Sequence, residues 1–313
     1  MIKLEKANNK KIMKDRVRRN TTLYAMLIPG ILLTFIFSYL PMAGVVIAFK
    51  EYTLGGGLFD GDWVGLKYFY KLFSDSSSTQ AILNTITISL YKLVVNIPAP
   101  LILAIMINEV GNKYFKTSIQ TISYLPHFIS WVVMAGIVTR LLSPTMGIVT
   151  QIIETLTGAE NVYLMTDPSK FRSVLVISDV YKGVGWGTLV YMAALSGIDS
   201  EQYEAAIIDG ANRIQRIWYI TLPTLSSLLV TLLIMSSTNI LNAGFDQIFN
   251  LQNDMVKEVS DVIDTYVYRV GLKEMQYSFS TAVGLFKSLA GLIMMVLVNA
   301  FSKHVLHTES GIW

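Results

Sequence analysis

Long apolar runs dominate the chain, and the polar positions gather between them. A bilayer core needs about 20 apolar residues in helical form. Six stretches meet that requirement, at roughly 23–49, 81–107, 119–142, 173–195, 221–245 and 279–301. They predict an all-α integral membrane protein with six transmembrane helices. Pro29, Pro41, Pro98, Pro100, Pro126 and Pro223 fall inside these stretches. Membrane helices tolerate such breakers because neighbouring helices satisfy the freed backbone groups. The connectors 50–80, 143–172 and 246–278 are polar, and no tandem repeat or separate soluble domain interrupts the pattern.

Charge sets the expected orientation. Eight of the 25 Lys and Arg residues lie within the first 20 positions, directly before the first apolar run. A basic segment in that place reads as a cytoplasmic anchor rather than a nucleic-acid arm. Leu23 to Phe49 is too long for a signal-peptide core of about 7–15 residues, so it is read as a retained helix. An even number of spans then places both termini in the cytoplasm, in a bacterial cell membrane. The expected organisation is a basic tail at 1–22, a first helix at 23–49, a five-helix core at 81–301 and a cytoplasmic tail at 302–313.

Composition narrows the chemistry. Charged residues make up 15% of the chain, apolar ones 52%, and the mean hydropathy is +0.49. A soluble fold so poor in charge has little with which to cover its surface. There are no cysteines and only three histidines, His127, His304 and His307. Thiolate chemistry is excluded, and a histidine-based catalyst has little to build from. No Gly-x-x-x-x-Gly-Lys-Ser/Thr phosphate loop occurs, so the chain is not expected to hydrolyse ATP itself or to hold a cofactor. Gly183-Val-Gly-Trp-Gly187 lies inside an apolar span and reads as a site of close helix packing.

The connector at 199–223 is the most informative segment. Asp199 is a candidate N-cap with Gln202 as its capping-box partner. Helical spacing puts Tyr203, Ala206 and Ile207 on one stripe. Gly210 permits a sharp turn before a second helix. The predicted unit is a helix–turn–helix knob fused to a membrane span, able to transmit a push. On this chemistry alone, an amphipathic linker at the membrane surface is an equal alternative.

Glu204-Ala205-Ala206, Asp209-Gly210-Ala211, Ile220 and Leu222-Pro223 resemble the "EAA…G…I-LP" signature of binding-protein-dependent ABC importer permeases. Tyr124–Trp131, Gly185-Trp-Gly187, Val262–Arg269 and Gly284–Ser288 further resemble the polysaccharide and oligosaccharide permeases of the lipoprotein-associated type. The resemblance spans about residues 20–313. It implies the type I importer fold, with spans two to six as the core and one extra N-terminal helix. It also implies that Tyr203, Glu204, Ala205, Ala206, Asp209, Gly210 and Ala211 dock on an ATPase. The implied partners are a second homologous permease chain, two ATPase subunits carrying ATP and Mg, and an extracellular solute-binding lipoprotein that delivers an oligosaccharide. Membrane lipids surround the complex, and no nucleic acid is expected.

Ionisable residues inside spans cost roughly 2.5–3.5 kcal/mol each on the insertion scale, which marks them as candidates for function. Here they are Lys92, Asp179, Lys182 and Lys287, with Arg140 at a span edge. Asp179 and Lys182 stand three apart on one face and can neutralise each other. Lys182 and Lys287 are candidate pore cations favouring an anionic, uronic-acid sugar; the competing reading is interhelical pairing. Trp186 and Tyr191 are candidate stacking residues, and Asn239 and Asn242 candidate hydroxyl partners. Aromatic packing and interhelical hydrogen bonding compete for those four side chains. His127 reads as structural. Two rival classes fit less well: an ion-coupled secondary transporter leaves the 199–223 signature unexplained, and an intramembrane enzyme lacks a convergent nucleophile and base.

Overall fold

The computed structural model describes residues 20–53, 55–57, 60–159, 162–237 and 239–305, with side chains to residue 300. The basic tail, apart from its last few positions, and most of the C-terminal tail lie outside the described residues. Among the described residues the regular structure is helical, with one isolated bridge between Lys50 and Trp63.

The first helix, α1 (Thr21–Phe49), loosens along its length. It is α-helical to Thr34, passes through a π turn at Phe35–Tyr39 and tightens to 3-10 geometry over Leu40–Phe49. Pro29 and Pro41 each remove a backbone donor, which accounts for the irregular ladder. Only Ile47 and Ala48 are buried along α1. Its last ten residues rest on the final helix, and the rest presents bare apolar side chains, as a helix facing lipid does. It is therefore peripheral to the core.

The core continues with α2 (Lys67–Ser74), α3 (Ser76–Asn96), α4 (Pro98–Asn108), α5 (Lys113–Tyr124), α6 (Trp131–Leu141), α7 (Ile148–Thr157) and α8 (Pro168–Leu195). Asp75 caps α3 by accepting from Ser78 N, and Asp167 caps α8 by accepting from Ser169 N. Next come α9 (Ser200–Ile208), α10 (Arg213–Arg216) and α11 (Leu222–Ser237), the last two joined through a π turn at Ile217–Thr221. Short helices α12 (Phe245–Leu251), α13 (Lys257–Ser260) and α14 (Ile263–Tyr268) lead to α15 (Tyr277–Val305).

Helix α8 is the central post and packs along α3, α4 and α5. In lipid, apolar faces gain little by meeting each other, so close packing through small residues carries the association. Gly185 and Gly187 supply it. A Cβ at Gly185 would collide with the Ser123 carbonyl of α5, and one at Gly187 would sit 2.8 Å from Pro100 Cγ on α4. Three buried clusters flank the post: Ile88, Met134, Phe171 and Ile248 in one, Leu72, Ile263, Phe279 and Val283 in another, and Leu101, Tyr191, Leu195 and Leu225 in the third.

The span pattern differs from the six runs in three places. Among the described residues, four helices are long and apolar enough to cross a membrane: Thr21–Phe49, Ser76–Asn108, Arg213–Ser237 and Tyr277–Ala300. The run at 119–142 is not one rod but Lys113–Phe128 and Trp131–Leu141, bent by 106°. Pro126 lies in a 3-10 turn, Ile129 is extended, and Ser130 starts a new helix by accepting from Val133 N at 3.4 Å. Helix α8 has the length to cross, but Lys170, Arg172, Asp179 and Lys182 lower its hydropathy. A count of six rests on taking the bent pair and α8 as crossings. The run at 221–245 also breaks, since α11 ends at Ser237 and the chain turns through Gly244 at φ +93° before α12.

Candidate coupling knob and transport path

The knob at 199–223 forms as a helix, a turn and a second helix. Asp199 caps α9 by accepting from Glu201 N at 3.0 Å, without the reciprocal box to Gln202 that the sequence suggests. The box lies instead on α10, where Asn212 and Gln215 exchange hydrogen bonds of 2.9 and 2.8 Å. Helix α9 ends in a Schellman turn: Gly210 N donates to Ile207 O at 3.0 Å and Ala211 N to Ala206 O at 2.8 Å. That motif needs a left-handed residue at the turn, and Gly210 supplies it at φ +81°.

Two contacts tie the knob to the membrane helices. The Tyr203 hydroxyl lies 2.8 Å from Thr221 Oγ1 at the foot of α11, and Arg213 approaches Glu109, just past the end of α4, at 3.8 Å. Glu204, Ala205, Asp209 and Gly210 are exposed, while Ala206 and Ala211 are half-buried. Helix α9 buries nothing; Ile208 is 86% exposed and Ile214 68%. Helix α9 thus leaves apolar side chains uncovered beside polar ones, attached to the membrane helices by one hydroxyl contact and one exposed ion pair.

The candidate path residues separate into two groups. Asp179, Lys182, Asn239, Asn242 and Lys287 line cavities that share walls. A cavity of about 440 Å³ is lined by His127, Trp131, Lys182 and Gly187. It shares Asn96 and Asp179 with a second, of about 290 Å³, which also holds Lys92. That one shares Asn239 and Asn242 with a third, of about 530 Å³, which Lys287 lines. Trp186 and Tyr191 line none of the three. One face of Trp186 is stacked on His127 at 4.6 Å between ring centroids. Tyr191 is buried, with its hydroxyl donating to Ile97 O at 3.0 Å.

The charges pair across helices rather than along them. Asp179 meets Lys92 at 3.4 Å and accepts from Asn96 Nδ2 at 2.7 Å, so it is not taken up by Lys182. Lys287 pairs with Asp264 of α14 at 2.5 Å. Lys182 donates to the carbonyls of His127 at 2.6 Å and Pro126 at 3.4 Å. These carbonyls lie where the bent span breaks. The Pro126 carbonyl also accepts from Ile129 N at 3.2 Å, so the ammonium chiefly serves the His127 carbonyl, and it complements the dipole of a helix C-terminus. Among the described residues no carboxylate lies within ion-pair distance of Lys182.

Several partners of the charges do not follow from motif reading, although Asp264 lies within the Val262–Arg269 segment. Asn96, Gln247 and Asp264 meet the intramembrane charges from 23 to 155 positions away along the chain. Only the three-dimensional fold identifies them.

Residues 96–307 match the family model described as "Binding-protein-dependent transport system inner membrane component". The chain belongs to that family. It is a multi-pass membrane component of an ABC-type transport system, a transport subunit rather than a catalytic one. Among its relatives, the LplB protein of Bacillus subtilis (strain 168) is 42% identical, over 92% of this chain and 90% of that one. The "Polygalacturonan/rhamnogalacturonan transport system permease protein YteP" of the same organism is 37% identical, over 95% and 92%. A chain of a "bacterial alginate ABC transporter in complex with alginate pentasaccharide-bound periplasmic protein" superposes with a TM-score of 0.85. It is 38% identical and covers 95% of this chain and 99% of that one. Membership of the family displaces the ion-coupled alternative and supports a binding protein as a partner.

Proposed function

We propose that this chain is one of two permease halves of an ATP-driven importer for acidic, uronic-acid-containing oligosaccharides. Two ATPase subunits bind from the cytoplasm against the knob at 199–223, and a solute-binding lipoprotein delivers the sugar from outside. Both termini are then cytoplasmic, ATP and Mg belong to the ATPase subunits, and this chain has no nucleotide site of its own. Closure of the ATPases moves the knob and, through Tyr203 and Arg213, the foot of α11 and the end of α4, as rigid bodies between two states.

The observation that carries the substrate class is Lys182: a cavity-lining ammonium whose hydrogen-bond partners are carbonyls, with Asp179 of the same cavity beyond ion-pair distance and engaged by Lys92 and Asn96. A uronate carboxylate entering the cavity would supply the missing anion. The names of two relatives, a polygalacturonan/rhamnogalacturonan permease and an alginate transporter, point to the same chemistry. Lys287, paired with Asp264, is not free to act in the same way.

Uptake by the complete complex in proteoliposomes tests this. The Lys182→Gln variant removes the charge while retaining an N–H donor on a side chain one atom shorter. It should lower the preference for an acidic over a neutral oligosaccharide by about tenfold, the weight of one charge-assisted hydrogen bond. Transport of neutral sugars in preference to acidic ones by the unaltered complex would refute the substrate class.

A further inference from the structure

The break in the fifth apolar run is held from the side by a single buried side chain. Lys92 of α3 is 8% exposed. Its ammonium donates to Ala243 O at 2.7 Å and to Gln247 Oε1, and it lies 3.4 Å from Asp179 Oδ1. Two of its N–H donors are thus taken by hydrogen bonds and its charge is met by a carboxylate. Gln247 is fully buried, and its amide nitrogen donates to Leu175 O at 2.7 Å and to Ser178 Oγ at 2.8 Å. A continuous chain of hydrogen bonds therefore runs from the central post through Gln247 and Lys92 to the backbone of the break. Gly244 lies against this clasp, where a Cβ would stand 3.1 Å from Lys92 Nζ.

What the clasp fixes is the wall between two cavities. Ala243 directly follows Asn242. The turn from Asn239 is closed by Asn242 N donating to Asn239 O at 2.7 Å. Both asparagines are exposed, and they are the residues common to the cavities of about 290 and 530 Å³. The backbone here leaves the α-helical ladder for turns closed by i→i−3 bonds, Asn239 N to Ser236 O at 3.1 Å and Ile240 N to Ser237 O at 3.2 Å. Anchoring one carbonyl beside the turn sets where both amides point.

We propose that Lys92 is a positioning residue for transport: by clasping Ala243 and Gln247 it holds the broken segment so that Asn239 and Asn242 face the passing solute. This rests on the transport reading for its purpose but not for its test. A group that acts in this way need not touch the substrate. Its removal should change the placement of residues 239–242 while the remainder of the chain stays folded.

The chain lacks cysteine, so an introduced thiol reports cleanly. Asn242→Cys is placed in the full complex in proteoliposomes, and its rate of alkylation by a water-soluble maleimide is measured. The backgrounds are native Lys92, Lys92→Met, and the charge-balanced pair Lys92→Met with Asp179→Asn, which avoids stranding a buried carboxylate. Ala159→Cys, exposed in the connector after α7 and away from the knob, serves as the second reporter. The rate at position 242 should shift by about tenfold in both altered backgrounds, as expected for loss of a charged anchor, while the rate at 159 stays unchanged. An unchanged rate at 242 in the charge-balanced pair overturns the proposal. So does a parallel change at both reporters, because the lysine would then serve the fold as a whole. No substrate enters this assay, so its failure is distinct from failure of the uptake experiment.

Discussion

Replacing Gly210 separates two ways in which the knob could depend on a glycine. The residue sits at φ +81° and closes the Schellman turn of α9, yet a Cβ there would meet nothing within 4 Å in this chain. The consequence is purely conformational. Holding alanine in the left-handed region costs roughly 1–2 kcal/mol relative to glycine. The equilibrium constant for the native turn then falls by about 5–30-fold. Asparagine, which visits that region more readily, should lose less, and β-branched valine more. If ATPase docking requires the native turn, these factors are ceilings on the loss of affinity. The assay is titration of purified ATPase subunit into the permease pair held in nanodiscs, with uptake per ATP hydrolysed measured in parallel. The expected order is Gly, Asn, Ala, Val, with the chain inserted normally in every case because nothing clashes. An order set by size instead, with Ala close to native and Asn as poor as Val, would refute the argument. It would mean that the glycine matters as a gap for the partner rather than as a turn.

Further outcomes follow from the charge arrangement. Lys287 and Asp264 are each about a quarter exposed, between surface pairs worth roughly 0.2–1 kcal/mol and buried ones that cost about 3–5 kcal/mol to break. A double-mutant cycle with Lys287→Met and Asp264→Leu should give a coupling of about 1–3 kcal/mol in thermal unfolding; a coupling near zero would return Lys287 to the set of pore cations. Burial, reinforced by the Asp75 carboxylate 2.8 Å away, pushes the Tyr266 hydroxyl up to about 12 from an ordinary 10.0. Its contribution to stability is thus complete below pH 10 and is lost as pH rises toward 12, and the tyrosinate absorbance difference between native chain and Tyr266→Phe should titrate in that upper range. Burial pushes Asp75 upward, but hydrogen bonds from Ser78 and Tyr266 outweigh it and hold the carboxyl below 3.8. That contribution is present above pH 3.8 and is lost as pH falls through the folded-state value, so Asp75→Asn should flatten the acid limb of the stability curve.

Hydrophobic runs and the 199–223 signature were enough to reach the fold class and the family, because both are local in the chain. Gly185-Trp-Gly187 was also legible: a glycine pair in an apolar span has few uses besides close approach, and Ser123 and Pro100 are what it approaches. The charges were not. Local spacing paired Asp179 with Lys182, but the fold gives Asp179 to Lys92, and Lys182 to the carbonyls exposed at Pro126 and His127. Spacing along a helix describes only that helix's own surface, whereas a buried ammonium takes whichever acceptors the neighbouring breaks leave open. The breaks themselves were hidden for a related reason. Hydropathy reports that a segment is apolar, not that its backbone stays straight, so the 106° bend and the end of α11 at Ser237 left no mark on the runs.

The Lys92 clasp also sets an order on biogenesis. Its partner Asp179 lies 87 positions downstream in the chain and Ala243 lies 151 positions downstream. At about 5–20 residues per second, the ribosome needs roughly 8–30 s to deliver that carbonyl after Lys92 is made. Throughout that interval the second span holds a charged side chain that costs about 2.5–3.5 kcal/mol in an isolated helix. The second span therefore has reason to stay beside the insertion machinery until the fourth and fifth have emerged. Release into lipid then becomes a joint event for several helices rather than a sequence of single exits.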